Sequence, residues 1–405
     1  LKSTYALLTV DSLPNVGGIA DYIAGLMEHT TSEIDWTLWT SVEETYSGEE
    51  PLPYAVHKVS LPNRRRGHRF GDSISPIRSL NTGRWMQEVR SQAMHTVKEI
   101  CNTCRPDLII MGSWDLHGWC SACRRQGVPY ALIVHGMELL RQLPFGMSSV
   151  RKRDLLGADL IIANSTPTLQ LVNDMIGSKI KATVVNPGVN VHRYTPGSEE
   201  SCIDQLNKAG IQDRKFILSM GRLIYRKGFD LAVEAFSRIE SEFPDVDLVI
   251  AGDGVYREQI DLTIASKGLA DRVLLVGKVS EKEKSALLQQ CEFFMMPNRF
   301  VVNDYEGFGI VFLEANAYGK AVIGGQADGV VDAVSHGVSG LLADTTSVED
   351  VAACMRRFLS DTEFRTSCGE LGRKRIHRDF AWTRQGLVFV DRLSQFGLYR
   401  GSSLA

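Results

Sequence analysis

The chain has 405 residues, with 45 Lys and Arg against 48 Asp and Glu, for a net charge of −3. That length suits two or three domains with sizeable cores, and the near balance of charge gives no reason to expect nucleic acid as a partner. No apolar run is long enough to span a bilayer and no signal peptide is read at the start, so the expected compartment is the cytoplasm, where the eight cysteines stay reduced.

Residues 5–10 form a short apolar run, 11–18 a loop, and 19–28 carry helical spacing. This is a strand–loop–helix unit with Gly17 and Gly18 at its turn. It lacks G-x-G-x-x-G, which speaks against a nicotinamide or flavin site. Two readings of the glycine pair stand: a close approach of ligand to backbone, or a simple tight turn. Residues 36–39 and 55–59 are further strands. Between 61 and 82 the pattern fails, and Arg64, Arg65, Arg66 and Arg69 form a cationic cluster near Trp85. Such a cluster is either a solvated loop or an electrostatic dock for an anionic membrane surface.

A long helix is expected over 84–101. Compact β runs follow at 108–111, 130–134 and 160–163, alternating with helical segments, as in a parallel sheet covered on both faces. Cys101 and Cys104 form a C-x-x-C, as do Cys120 and Cys123, with a spacing that some zinc sites use. The first pair ends a helix and the second lies within one, so small apolar packing is the expected role and no metal is assigned. His135-Gly136 follows one strand directly. Asn186-Pro187-Gly188-Val189 ends another, and 191–200 reads as a linker between domains.

A second alternating series has strands at 216–220, 247–251, 273–276, 293–296 and 321–323. The first ends in Gly221-Arg222-Leu223-Ile224-Tyr225-Arg226-Lys227-Gly228. Arg222 and Lys227, a planar fork and a point charge straddling a strand-to-helix loop, can clamp a diphosphate, though a solvated basic loop has the same composition. Residues 297–315 then hold two glutamates eight apart, Glu306 and Glu314, around Gly307-Phe308-Gly309. A helix starting at about Gly309 presents unpaired N–H groups and a positive dipole end, suited to phosphate. Glu306 lies before that helix and Glu314 within it, so the two carboxylates can reach different parts of one ligand, a layout that suits a sugar nucleotide. Residues 387–396 form a last helix.

These motifs resemble the family-4 retaining glycosyltransferases over nearly the whole chain. The match rests on the E-x7-E of Glu306 to Glu314, on Gly221-Arg222 with Lys227-Gly228, on Ala251-Gly252-Asp253-Gly254, and on His135-Gly136, Asn186-Pro187-Gly188-Val189 and Gly17-Gly18, all in order. The resemblance implies an α/β chain of GT-B type. Two Rossmann-like doubly wound domains would face a central cleft: an acceptor domain over 1–193 and a nucleotide-sugar domain over 194–379. A helix in 380–405 would cross back onto the first. It implies that Glu306 holds the donor hexose, Glu314 the ribose diol, and Arg222 and Lys227 the diphosphate. Backbone N–H groups of Phe308, Gly309, Ile310 and Val311 would meet phosphate oxygens. Val276, Gly277 and Lys278 would contact the base, His135 would face the reacting sugar, and Gly17 and Gly18 would border the donor. No cofactor and no metal are implied, since the basic clamp replaces one.

Three features depart from the family's common pattern. Asp332 stands where many relatives carry glutamate, the stretch 297–306 is long, and Asn298 replaces a frequent serine or cysteine. Arg299 and Asn303 are then expected to shape a pocket. The implied activity is transfer of a hexose, with UDP-hexose favoured, to a glycan or lipid-linked glycan by an enzyme that is cytoplasmic or peripheral on the membrane. GDP-mannose-dependent transfer, an epimerase of the UDP-N-acetylglucosamine 2-epimerase type, and a non-catalytic nucleotide-sugar-binding protein are the alternatives.

Overall fold

The computed structural model describes residues 2–12, 17–41, 52–59, 61, 77–143, 146–177, 180–194, 197–208, 210–211 and 214–400, and of residues 77–86 and 199 the backbone alone. The chain divides into two compact units, residues 1–188 with 382–405, and residues 189–381.

Unit 1 holds a seven-stranded sheet of β1 (Ser3–Thr9), β2 (Ile34–Thr40), β3 (Ala55–Lys58), β4 (Leu108–Met111), β5 (Tyr130–Val134), β6 (Leu160–Ala163) and β7 (Ala182–Val184), in the order β3-β2-β1-β4-β5-β6-β7. Every pairing is parallel. β4, β5 and β6 are buried along their whole length, because helices cover both faces of a parallel sheet. The helix Ile77–Cys104 is longer at both ends than the 84–101 expected from sequence. The cationic cluster at 64–69 lies outside the described residues, and nothing is described of the Trp85 side chain.

The last helix, Trp382–Gln395, belongs to unit 1. Its anchor is Trp382. The indole lies so close to Gly25 and Gly188 that an added Cβ would come within 2.0 and 2.7 Å of it, respectively. The two glycines thus form the seat for the ring. Tyr22 meets Trp382 edge-on at 5.7 Å, and Phe389 stacks on Trp36 at 6.2 Å.

Unit 2 repeats the pattern with β8 (Lys215–Met220), β9 (Val246–Ala251), β10 (Val273–Gly277), β11 (Phe294–Met296), β12 (Val322–Gly325) and β13 (Gly340–Ala343), ordered β10-β9-β8-β11-β12-β13 and all parallel. β13 is absent from the sequence expectation. It is four residues long and starts at Gly340, where a Cβ would stand 2.1 Å from the Val322 carbonyl oxygen, so only glycine admits this pairing.

The two units part after 188 and 381, five and two residues from the expected cuts after 193 and 379. The reason is a short bridge: Val189 pairs with Ala381, and the Val189 N–H donates to Phe380 O at 2.8 Å. Residues 191–200 are likewise not an open linker, since a 3-10 turn, Val191–Tyr194, and the start of the helix Glu199–Lys208 occupy much of that stretch.

Candidate active site

In each sheet the strand order reverses once, between β1 and β4 in unit 1 and between β8 and β11 in unit 2, and loops at the carboxyl ends of such strands form a natural ligand crevice. In unit 2 these loops are residues 221–228 after β8 and 297–309 after β11. Glycines press them together backbone to backbone. A Cβ on Gly252 would fall 1.9 Å from Gly221 O, one on Gly254 would fall 2.3 Å from Leu223 O, and one on Gly228 would fall 2.1 Å from Pro297 O. The Ala251-Gly252-Asp253-Gly254 motif is therefore the wedge that seats the basic loop. Gly228 has a second reason to be glycine, a φ of 72°.

Glu306 is buried where these loops meet, at 9 % exposure. Its Oε2 accepts from three donors: the Arg226 guanidinium through Nη1, Lys227 Nζ at 2.5 Å and Asn298 Nδ2 at 2.9 Å. Its Oε1 has no partner among the described residues. The backbone is fixed as well, because Glu306 N–H donates to Asp328 Oδ2 at 3.0 Å and Gly329 N–H to Glu306 O at 2.9 Å. Burial pushes the Glu306 carboxyl up, but the Lys227 and Arg226 charges outweigh it and hold the group below its usual value. Burial likewise lowers the Lys227 ammonium against the pull of Glu306. Asp328 sits in the left-handed region at φ 49°, and burial lifts its carboxyl to about 6.

The helix Ile310–Ala317 starts one turn beyond. Its N-cap is Gly309, at φ 88°, and no side chain caps the end. Phe312 N–H returns to Gly309 O at 3.0 Å, and Phe308 is buried against Phe380. This leaves the free N-terminus that a phosphate would need. Glu314, the fifth residue of that helix, takes Tyr194 Oη at 2.9 Å and Lys284 Nζ at 3.2 Å on Oε1. Burial lowers the Lys284 ammonium, but Glu314 and Glu281 together more than compensate and raise it.

The other expected residues fall as follows. Lys227 is on Glu306, whereas Arg222 is exposed and has no ion pair among the described residues. Val276 and Gly277 end β10, where Gly277 O accepts from Gly252 N at 2.7 Å, and Lys278 is exposed. Arg299 is held in place. Its fork grips both oxygens of Asp230, at 2.7 and 2.9 Å, and its plane lies over Tyr225 at 4.5 Å. Asn303 holds a left-handed turn at φ 63°.

In unit 1, Gly17 opens the helix Gly18–Glu28 with free space where a Cβ would stand. His135 is buried, with Nε2 2.9 Å from Gly112 O and its backbone N–H donating to Glu138 Oε1 at 2.7 Å. The four cysteines of the zinc-like spacing lie on the helices Ile77–Cys104 and His117–Gln126 and are free thiols. Burial pushes Cys123 up to about 12, and among the described residues no group of three His, Cys, Asp or Glu could hold a metal. No described helix is long and apolar enough to cross a membrane.

The sequence reading missed Arg226, Asn298 as a ligand of Glu306, Asp304 and Asp328. Arg226 adjoins Lys227, a hint that more than two cations share the loop, but nothing in the sequence announces its partners.

Two family models divide the chain between them. The model described as Glycosyltransferase Family 4 covers residues 16–193, and that described as Glycosyl transferases group 1 covers residues 203–375. A mannosyltransferase of Mycobacterium tuberculosis, named as GDP-mannose-dependent and acting on phosphatidylinositol monomannoside, is 31% identical over 64% of this chain and 68% of its own length. The chain belongs to glycosyltransferase family 4. A Corynebacterium glutamicum enzyme, also named as a GDP-mannose-dependent mannosyltransferase and acting on the monoacylated form of that lipid, is 25% identical over 94% of this chain and 95% of its own. Among solved structures, the sucrose-phosphate synthase of Thermosynechococcus elongatus superposes with a TM-score of 0.76 at 20% identity, covering 98% of this chain and 99% of that one. Anabaena HepE in complex with UDP gives 0.74 at 17%, covering 98% and 100%. The family-4 chain therefore has the GT-B fold, and it is a glycosyltransferase.

Proposed function

We propose that the enzyme transfers a hexose, with retention of anomeric configuration, from a nucleotide sugar to a hydroxyl of a lipid-linked glycan. The observation that carries this reading is Glu306: a buried, ionised carboxylate with one oxygen held by three donors and the other free, set one turn before an uncapped helix N-terminus. The diphosphate would lie on that N-terminus, with the free Oε1 facing a hydroxyl of the hexose beyond it. Glu314, inside the helix, would accept from the ribose diol. His135 would face the reacting sugar. Leaving-group charge would fall on Lys227, Arg222 and the helix N–H groups, stabilisation of the kind that dominates such reactions. Because side chains supply that charge, transfer is expected to survive chelation.

Support for GDP-mannose over the UDP-hexose named above comes from the mycobacterial and corynebacterial relatives, whose names carry GDP-mannose and a phosphatidylinositol mannoside. A thermal-shift screen with GDP, UDP, GDP-mannose and UDP-glucose tests the donor, since a ligand at one hundred times its Kd stabilises the fold by about 2.7 kcal/mol. GDP and GDP-mannose are expected to raise the midpoint, and NMR of the product is expected to show the donor's anomeric configuration. No shift with any of the four, or an inverted product, would overturn the reading.

A further inference from the structure

Lys227 stands between two demands. Its Nζ is bound to Glu306 Oε2 at 2.5 Å, yet it is also the cation the donor diphosphate would call on. An ammonium drawn toward phosphate leaves a buried carboxylate short of counter-charge, which is costly wherever it happens. The structure holds a second cation that cannot follow the phosphate. Arg226 is buried at 4 % exposure, and it is tied down at three points: Nη1 to Glu306 Oε2, Nε to Asp304 Oδ1 at 2.9 Å, and its carbonyl oxygen to Arg299 N–H at 2.8 Å. Arg299 is in turn forked onto Asp230. A guanidinium keeps its charge at any working pH, and its planar fork suits two carboxylates at once.

We infer that Arg226 is the fixed counter-charge of Glu306, and that it releases Lys227 from the carboxylate to the donor diphosphate while keeping Glu306 oriented with Oε1 free. The inference rests on the donor site proposed above. Arg226 is a positioning residue: it acts through Glu306 and does not itself touch the diphosphate. Asp304 serves it as an anchor, and Asp328 fixes the Glu306 backbone from the other side.

The test is a double-mutant cycle on nucleoside diphosphate affinity, read by calorimetry with GDP and, beside it, UDP. In Arg226→Met, Lys227 stays on Glu306, and affinity is expected to fall by roughly ten-fold. Glu306→Gln alone removes the anion that holds Lys227 and is expected to bind at least as tightly as the parent. In the double variant, affinity is expected to return to within about two-fold of Glu306→Gln, because the charge that Arg226 serves is gone. A merely structural role would lose affinity in both backgrounds. Arg226→Lys, which keeps a charge but cannot hold Asp304 and Glu306 together, is the gentler variant if the methionine fails to fold. Its expected loss is about three-fold, and it too vanishes beside Glu306→Gln. Additive losses, or no loss in the single Arg226 variants, overturn the inference and leave the donor site standing. A parent chain that binds neither GDP nor UDP overturns both.

Discussion

The two units share a sheet order, but the loops at their switch points are stabilised by different means. In unit 2, Glu306, Arg226 and Lys227, with the half-buried Asp304 at their edge, form a cluster of two cations and two acids, locked by glycines that bring carbonyl oxygens within reach of a missing Cβ. In unit 1 the corresponding rim has one exposed ion pair, Arg141 Nη1 to Asp115 Oδ1 at 2.8 Å, and is otherwise tied by single bonds that mostly reach the backbone: His135 Nε2 to Gly112 O, the His135 N–H to Glu138, and Arg151 Nη1 to Glu138 O and Arg141 O at 3.2 Å. On the proposed reading, a nucleotide diphosphate would meet a prebuilt charged cradle in unit 2, and acceptors that differ would meet in unit 1 a rim whose side chains are freer to differ with them. Unit 2 should then respond to single charges, and unit 1 to packing.

The largest effect should come from the cluster. Glu306→Gln is expected to lower transfer on the order of 10²–10³-fold, the scale of losing one group that stabilises the transition state. Binding of GDP should be kept, because Lys227 is freed. Steady-state kinetics beside calorimetry separates the two, and full transfer in this variant would remove the charged cluster from the chemistry.

A pair of glycine variants sets the units against each other. Gly228→Ala places a Cβ 2.1 Å from Pro297 O and forces alanine to φ 72°. Strain and overpacking together should cost roughly 2–4 kcal/mol and displace Lys227, so stability and GDP affinity fall together. Gly25→Ala drives a Cβ to 2.0 Å from the Trp382 ring in unit 1 and should cost about 1–3 kcal/mol with GDP affinity unchanged. Urea unfolding with calorimetry reads both. If Gly25→Ala weakens GDP binding as much as Gly228→Ala does, the assignment of donor binding to unit 2 alone fails.

Next in size is Glu314→Gln. Glu314 keeps Tyr194 and Lys284 as partners, and as a neutral amide it would accept more weakly from a ribose diol. GDP affinity should fall by roughly ten-fold, about 1.4 kcal/mol. An unchanged affinity would leave the ribose without its expected acceptor.

The same contrast explains what was legible in the sequence. The bounds of β4, β5 and β6 follow from unbroken apolar runs, since a buried parallel strand needs both faces apolar. β13 escaped because it is four residues long and begins on a glycine chosen for its neighbour. Glu306 and Glu314 were read from their spacing within one loop and helix, and Lys227 from its place with Arg222 in the strand-to-helix loop after β8. Arg226 was not, since it is 80 residues from Glu306 in the chain and meets it only once β8 and β11 lie side by side. Asp328, 22 residues beyond Glu306 and past β12, is a similar case, whereas Asn298 lies only eight residues from Glu306 and was missed because the sequence does not show the loop folding back on itself. Arg299 is bound to Asp230, 69 residues away, a partner its own neighbourhood does not reveal.

The smallest effect tests whether the cluster's acids are at ease there. Asp328 is half-buried, accepts from the Glu306 N–H, and has its carboxyl raised to about 6 by burial. A raised acid binds its proton more tightly in the folded chain than in the unfolded one. Its contribution to stability is therefore greatest at low pH and is lost as pH rises from about 4 through about 6. Glu306 runs the other way: its lowered value stabilises above the ordinary 4.5 and is lost below it, so the comparison belongs above pH 5. Asn at position 328 keeps a carbonyl acceptor for Glu306 N–H and tolerates the left-handed φ of 49°, while carrying no charge. Asp328→Asn should exceed the parent by about 0.5 kcal/mol at pH 5, where roughly half of the loss has occurred, and by about 1 kcal/mol at pH 7.5, the full shift being discounted for solvent screening of a half-exposed group. Urea unfolding at the two pH values measures the gap. A gap that does not change with pH means that Asp328 ionises as it would in the unfolded chain. A variant less stable at both values means that the charge-assisted bond to Glu306 N–H outweighs the burial of the charge, and the loop after β11 would then be held by that acid as firmly as by Arg226.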